Sequence, residues 1–209
     1  MNKKTIGLFY NLGFDTLFGY VKDFDHKNST QDGDLTIFYD QENQFVGFNL
    51  LNASKKITSE LYHGINSDNQ RLIAELGSVL KLEAGLWEQY NQEPQFLVGE
   101  INSRVHHPNS DKLSICQVNL GQKNEQIVCG APNCDQNQKV VVATIGAIMP
   151  NLMKIVPSEL RGEQSNGMLC SARELGIAND NLVKGLLILD DQQYHTGNSF
   201  WKEYYNEQN

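Results

Sequence analysis

The second half of this chain is punctuated in a way that few folds can accommodate. From residue 95 onward, the apolar runs QFLVGEINSRV, KLSICQVNLG, EQIVCGAPN and KVVVATIGAIMP alternate with polar turns, and GLLILDD follows only after a long polar insertion. Such runs, rich in β-branched residues and bounded by Gly, Pro, Asn and Asp, read as strands joined by turns. Five of them, with one long connection before the last, predict a small five-stranded barrel.

The first half reads differently. TIGLFYN, TLFGYV, LTIFYD and QFVGFNLL are separated by DHKNSTQDGD and DQEN and predict a small antiparallel sheet. Next, Leu72, Ile73, Leu76, Val79 and Leu80 recur at helical spacing behind Ser67, with Gln70 three residues later. That pattern predicts one amphipathic helix with a capping box, packed on the sheet. The polar stretch EQYNQEPQ, Glu88 to Gln95, is the best linker candidate. The expected organisation is therefore an α+β domain at 1–93 and an all-β barrel domain at 94–209, the latter with an aromatic tail, NSFWKEYYNEQN, that docks on the protein.

The 209 residues are enough to bury a real core, as one domain or two. No apolar run approaches the roughly 18–20 residues that span a bilayer, so a membrane protein is not expected. The start, MNKKTIGLFYNLGF, imitates a secretory signal, but Asn11 interrupts it, Asp15 follows, and no small-x-small cleavage site appears. Cys116, Cys129, Cys134 and Cys170 form no C-x-x-C pair and sit in strand-like segments, so reduced thiols in a cytoplasmic protein are expected.

The formal net charge of -8 argues against indiscriminate nucleic-acid binding, which needs clustered Lys and Arg. The charge is unevenly spread. Between residues 94 and 176, Arg104, Lys112, Lys123, Lys139, Lys154, Arg161 and Arg173 are balanced by Glu100, Asp111, Glu125, Asp135, Glu159, Glu163 and Glu174, so the predicted barrel core is the least acidic part of the chain.

Two polar segments there carry groups a ligand could touch. In HPNSDKL, Pro108 stiffens the exit from a strand, Asn109 and Ser110 offer donors and acceptors, and Lys112 supplies a cation. In LRGEQSNGMLCS, Arg161 can fork onto a phosphate, Gly162 and Gly167 permit close backbone approach, Ser165 and Asn166 can hydrogen-bond, and Met168 offers a polarizable surface. Both segments have plainer readings. The first is a common turn, and in the second Arg161 could pair with Glu159 or Glu163 in solvent while Met168 fills core. After the second segment, Ser171 and Glu174 make another capping box, and Gly176 can end its single helical turn.

The run FLVGEINSRVHHPNSDKLSICQVNLGQKNEQIVCGAPN followed by LRGEQSNGMLCSARELG resembles the tRNA-binding barrel domain of the bacterial phenylalanyl-tRNA synthetase β subunit. It is similar, more distantly, to tRNA-binding domains appended to methionyl- and tyrosyl-tRNA synthetases. With a preceding domain of this size, the chain resembles YtpR-type tRNA-binding proteins. The resemblance implies an OB-fold that holds tRNA by its shape, with Asn109, Lys112, Ser165, Asn166 and Met168 on the binding face and Arg161 as the basic position before the second motif. SNGM replaces the Gln and Ala of free-standing binders and follows the synthetase form, which implies weak to moderate affinity. The implied partners are tRNA and an aminoacyl-tRNA synthetase, with a homodimer as a further expectation.

No cofactor is expected, and no catalytic residue or metal site is read. His106 and His107 are neighbours that point to opposite faces of an extended segment, and CGAPNC lacks zinc-ligand spacing. No P-loop, dinucleotide fingerprint, nucleophile elbow or zinc-protease helix is present. The expectation is a binding protein rather than an enzyme. A protein-interaction module derived from a synthetase barrel, or an enzyme acting on charged tRNA, stand as alternatives.

Overall fold

A computed structural model of the chain describes residues 4–21, 26–91, 93–177 and 184–207. The chain divides into two compact units, residues 1–94 with 148–153 and residues 95–147 with 154–209.

The first unit holds β1 (Gly7–Asn11), β2 (Thr16–Tyr20), β3 (Asn28–Asp32), β4 (Leu35–Tyr39), β5 (Phe45–Leu51) and β6 (Gly64–Ile65) in one antiparallel sheet ordered β3-β4-β5-β2-β1-β6. Alternation along β1, β2 and β5 buries Leu8, Tyr10, Leu17, Phe48 and Leu50 on one face, and helix α1 (Gln70–Leu80) covers them with Leu72, Ile73, Leu76 and Leu80. The helix begins later than its expected cap. Asn69, not Ser67, accepts the Leu72 N–H at 3.2 Å, while the Ser67 hydroxyl accepts the Leu8 N–H and ties the approach to β1. β3 falls in a segment read as a separator. All five of its residues are exposed, so no apolar alternation marks it, and it exists because the Gly33 turn folds it back onto β4. The stretch expected to be a linker is anchored at its start: Tyr90 and Asn91 are buried, and the Asn91 amide both accepts from and donates to the backbone of Ile6 at 2.9 Å.

In the second unit, β7 (Phe96–His107), β8 (Ser110–Asn119), β9 (Asn124–Cys129), β10 (Lys139–Ala143) and β13 (Met168–Leu169) form a sheet ordered β13-β10-β7-β8-β9, with β14 (Ile188–Leu189) also paired to β10. The polar insertion contributes a separate hairpin, β11 (Ser158–Leu160) with β12 (Glu163–Ser165). β7 pairs with β10 along its first half and with β8 along its second. Register shifts between Ile101 and Ser103 and between His106 and His107 bend it, as bulges do, so that one long strand curls the whole sheet.

Among the described residues the expected barrel is not closed by strand pairing. β9 and β13, the sheet's two end strands, come into contact without ladder pairing between them; β13 is two residues long and Gly167 before it has φ 149. The unpaired junction is spanned by the second polar segment. Asn166 N–H donates to the Gln126 carbonyl at 2.8 Å, the Gln126 amide donates to the Gln164 carbonyl at 3.0 Å, and Val128 N–H donates to the Ser165 hydroxyl at 3.1 Å. Inside, Ile101, Cys116, Val118, Ile127, Val140, Val142 and Leu169 form the core. The aromatic tail does dock: helix α2 (Phe200–Glu207) buries Phe200, Trp201 and Tyr205, with Trp201 edge-on to Phe96. No described helix is long and apolar enough to cross a membrane.

Candidate functional site

The two polar segments meet at the tips of two hairpins. The first tip, between β7 and β8, is the turn after His107, where Pro108 fixes one backbone dihedral. The second is Arg161–Gly162, joining β11 to β12; both residues have positive φ, 52 and 96, as a tight two-residue hairpin of the primed type requires. Glycine adopts that backbone readily, whereas Arg161 is held in it against the usual preference of an L-residue.

Reciprocal hydrogen bonds join the tips. The Arg161 guanidinium donates to the Asn109 carbonyl at 2.9 Å, and the Asn109 side-chain amide donates to the Arg161 carbonyl at 3.3 Å. Beneath them lies His107, only 4% exposed, whose Nδ1 accepts the Asn109 N–H at 3.0 Å. That bond requires Nδ1 to be unprotonated, so Nε2 carries the hydrogen and donates to the Leu160 carbonyl at 2.9 Å. His107 is thus an internal strut between the motifs. The local sequence signal of this role is slight: a histidine directly before Pro-Asn at a strand end.

Asn109, Lys112 and Arg161 are exposed, and Asn166 and Met168 are partly so. Ser165 departs from expectation. It is 2% exposed, and its hydroxyl accepts from Val128 N–H and donates to the Gly167 carbonyl at 3.3 Å. A side chain so enclosed offers no surface to a macromolecule; it sets the path of the strap that carries Asn166 and Met168. Arg161 makes no ion pair with Glu159 or Glu163, which instead accept from Gln164 and Gln126.

Two adjoining grooves share a wall made of Gly130, Ala131 and Pro132. One, of about 350 Å³, is lined by Arg104, His106, Asp111, Lys112, Leu113 and Ser114. The other, of about 420 Å³, includes Met168, Ser171 and Glu174. Lys112 and Met168, from different motifs, therefore line two grooves that have this wall in common. The floor of the second groove is fixed by the expected capping box: Ser171 N–H and hydroxyl donate to the Glu174 carboxylate at 2.7 and 2.6 Å, and the Ser171 hydroxyl accepts the Glu174 N–H. Gly176, with φ 73, follows the resulting turn.

All four cysteines are free and buried. A hydrogen bond from Cys134, 3.5 Å away, holds the Cys116 thiol below its ordinary value against the opposing effect of burial, and the same bond raises Cys134 to about 11. Burial pushes the Cys170 thiol up to about 12. Among the described residues, no group of three or more His, Cys, Asp or Glu side chains is arranged to hold a metal ion.

Comparison with known proteins bears on the same region. Residues 96–193 match the family described as "Putative tRNA binding domain". The chain is 42% identical over 171 residues to the "Putative tRNA-binding protein YtpR" of Bacillus subtilis, covering 80% of this chain and 84% of that one. It is 54% identical over 95 residues to the phenylalanine–tRNA ligase β subunit of Campylobacter jejuni, covering 46% of this chain but only 12% of the ligase subunit. A solved MetRS-related protein from Pyrococcus horikoshii is 20% identical with a TM-score of 0.39, over 51% of this chain and 89% of that one.

Proposed function

Because the chain belongs to the family of the Bacillus subtilis protein YtpR, we propose that it is a non-catalytic tRNA-binding protein whose second unit, an OB-type barrel, reads folded RNA by shape and backbone contacts. The observation that carries this reading is the joining of the two motifs through Asn109 and Arg161, which presents polar groups from distant parts of the sequence along one edge. Lys112 supplies a cation to phosphate there, and Arg161 has guanidinium hydrogens left over from its bond to Asn109. Asn166 offers an amide to ribose or an unpaired base, and Met168 an apolar surface against which a base can rest. Ser165 acts only through the strap it positions.

A protein that neutralises two or three phosphates has a logarithmic salt slope of about 2, since each contributes roughly 0.7–0.9. The acidic remainder of the chain then disfavours other polyanions by like-charge repulsion. The cytoplasmic location, the homodimer and assistance to a synthetase belong to the same proposal. The test is fluorescence anisotropy with labelled tRNA: wild type binds, and Lys112→Ala weakens binding while leaving the unfolding curve unchanged. A second reading, docking of a protein partner, draws on exposed Ile145 and Val156, 42% and 57% accessible. Wild-type protein that fails to bind any tRNA while forming a complex with a synthetase would favour it.

A further inference from the structure

The first of the two grooves contains charge that the fold does not use. Arg104 projects from β7 opposite Cys116, on the sheet face that buries Cys116 and Ile127, so its side chain leaves the strand on the interior side and is half-buried. Its Nε is buried and has no hydrogen-bond partner among the described residues. Leaving such a donor unmet is costly, more so when it is charged, so a group of this kind calls for an explanation. Along the same strand and across the hairpin, His106 and Lys112 line the groove, with Asp111 as its one carboxylate. The ammonium of Lys112 also lacks a protein partner among the described residues: its one hydrogen bond, to Ser110, is made by its backbone N–H.

We propose that this groove is a phosphate seat: Arg104 grips one backbone phosphodiester through the terminal nitrogens of its guanidinium, with Lys112 as the second cation and His106 as a further donor. The proposal rests on the tRNA reading above and extends it to a residue outside both motifs. The balance of charge fits the ligand. Arg104 and Lys112 against Asp111 leave one net positive charge, which one phosphodiester cancels. Geometry fits as well, because the guanidinium fork matches two oxygens of a tetrahedral phosphate. The wall of Gly130, Ala131 and Pro132, which this groove shares with the one bordered by Met168, carries no long side chain to hinder a sugar-phosphate backbone.

The test is a salt-dependent titration of the intact protein with unfractionated tRNA, using Arg104→Met, which keeps an unbranched apolar stem, and Arg104→Lys, which keeps the charge. Arg104→Met is expected to weaken binding about 5- to 20-fold and to lower the salt slope by about 0.7–0.9, the share of one phosphate. Arg104→Lys should retain the slope and lose part of the affinity. Independently of tRNA, the Arg104 Nε–Hε resonance should shift when uridylyl-uridine is added, and should do so more than with a peptide bearing a free C-terminal carboxylate. If Lys112→Ala weakens tRNA binding while Arg104→Met changes neither affinity nor slope, the seat is refuted and the tRNA reading stands. A resonance that answers only to the peptide assigns the groove to a protein partner. If wild type binds no tRNA at all, both proposals fall together.

Discussion

Ser165→Ala separates a residue that shapes the site from one that touches the ligand. The Ser165 hydroxyl is enclosed and makes two hydrogen bonds, from Val128 N–H at 3.1 Å and to the Gly167 carbonyl at 3.3 Å. Alanine removes both and leaves the Val128 N–H, on a half-buried strand, without a partner. A deserted donor of this kind costs about 1–3 kcal/mol, and the longer bond adds little, so a loss of about 2 kcal/mol is expected. With a urea dependence of about 1–3 kcal/mol per molar, the midpoint should fall by about 1 M. Two units need not unfold together, so the transition is best followed through Trp201 in a Trp87→Phe background, which leaves one tryptophan, in the second unit. At a temperature where both proteins are folded, tRNA affinity should change less than about threefold and the salt slope not at all, because no phosphate contact is lost. The reasoning is refuted if the midpoint is unchanged while tRNA binding disappears, for the hydroxyl would then belong to the ligand.

Other perturbations follow from the same contacts. His107→Ala removes the strut between the hairpin tips and leaves the Leu160 carbonyl and Asn109 N–H unmet; amide exchange should quicken at 109–112 and 160–163, with a stability loss of about 1–3 kcal/mol. Asp111→Asn deletes the one carboxylate lining the cationic groove and should tighten tRNA binding about two- to fivefold at low salt, with the gain fading as salt rises. In the first unit, burial pushes Glu75 upward, but hydrogen bonds from Thr58 and Ser59 outweigh it and hold the carboxyl at about 2 rather than 4.5. Its contribution is therefore fully present above about pH 5 and lost as pH falls toward 2. Glu75→Gln should flatten the acid limb of unfolding followed through Trp87, and an unaltered limb would contradict the assignment.

What was legible in the sequence was what local pattern encodes. The apolar runs from 95 onward became strands because β-branched residues between turn formers have few other options, and Ser171 with Glu174 capped its turn because a capping box needs only residues three apart. What was not legible depends on distant partners. β3 has no inward face and exists only through β4. Ser67 was diverted from its expected cap by Leu8, 59 residues away. The closed barrel was expected from strand number, but closure depends on whether the ends can pair, and here the strap around Ser165 occupies that place. The same strap explains why Ser165 was read as ligand-facing: a polar residue between glycines looks exposed until the backbone it serves is seen. His107 was hidden for a similar reason, since its two acceptor and donor partners lie on different hairpins.

The central claim is that the joined motifs form an edge for folded RNA rather than a general anion surface. It is tested most directly by titrating the intact protein with tRNA at several salt concentrations, with random-sequence duplex DNA as competitor. The account predicts retained tRNA binding in the presence of the DNA and a logarithmic salt slope of about 2. Equal affinity for the duplex, or a slope several times steeper, would contradict it.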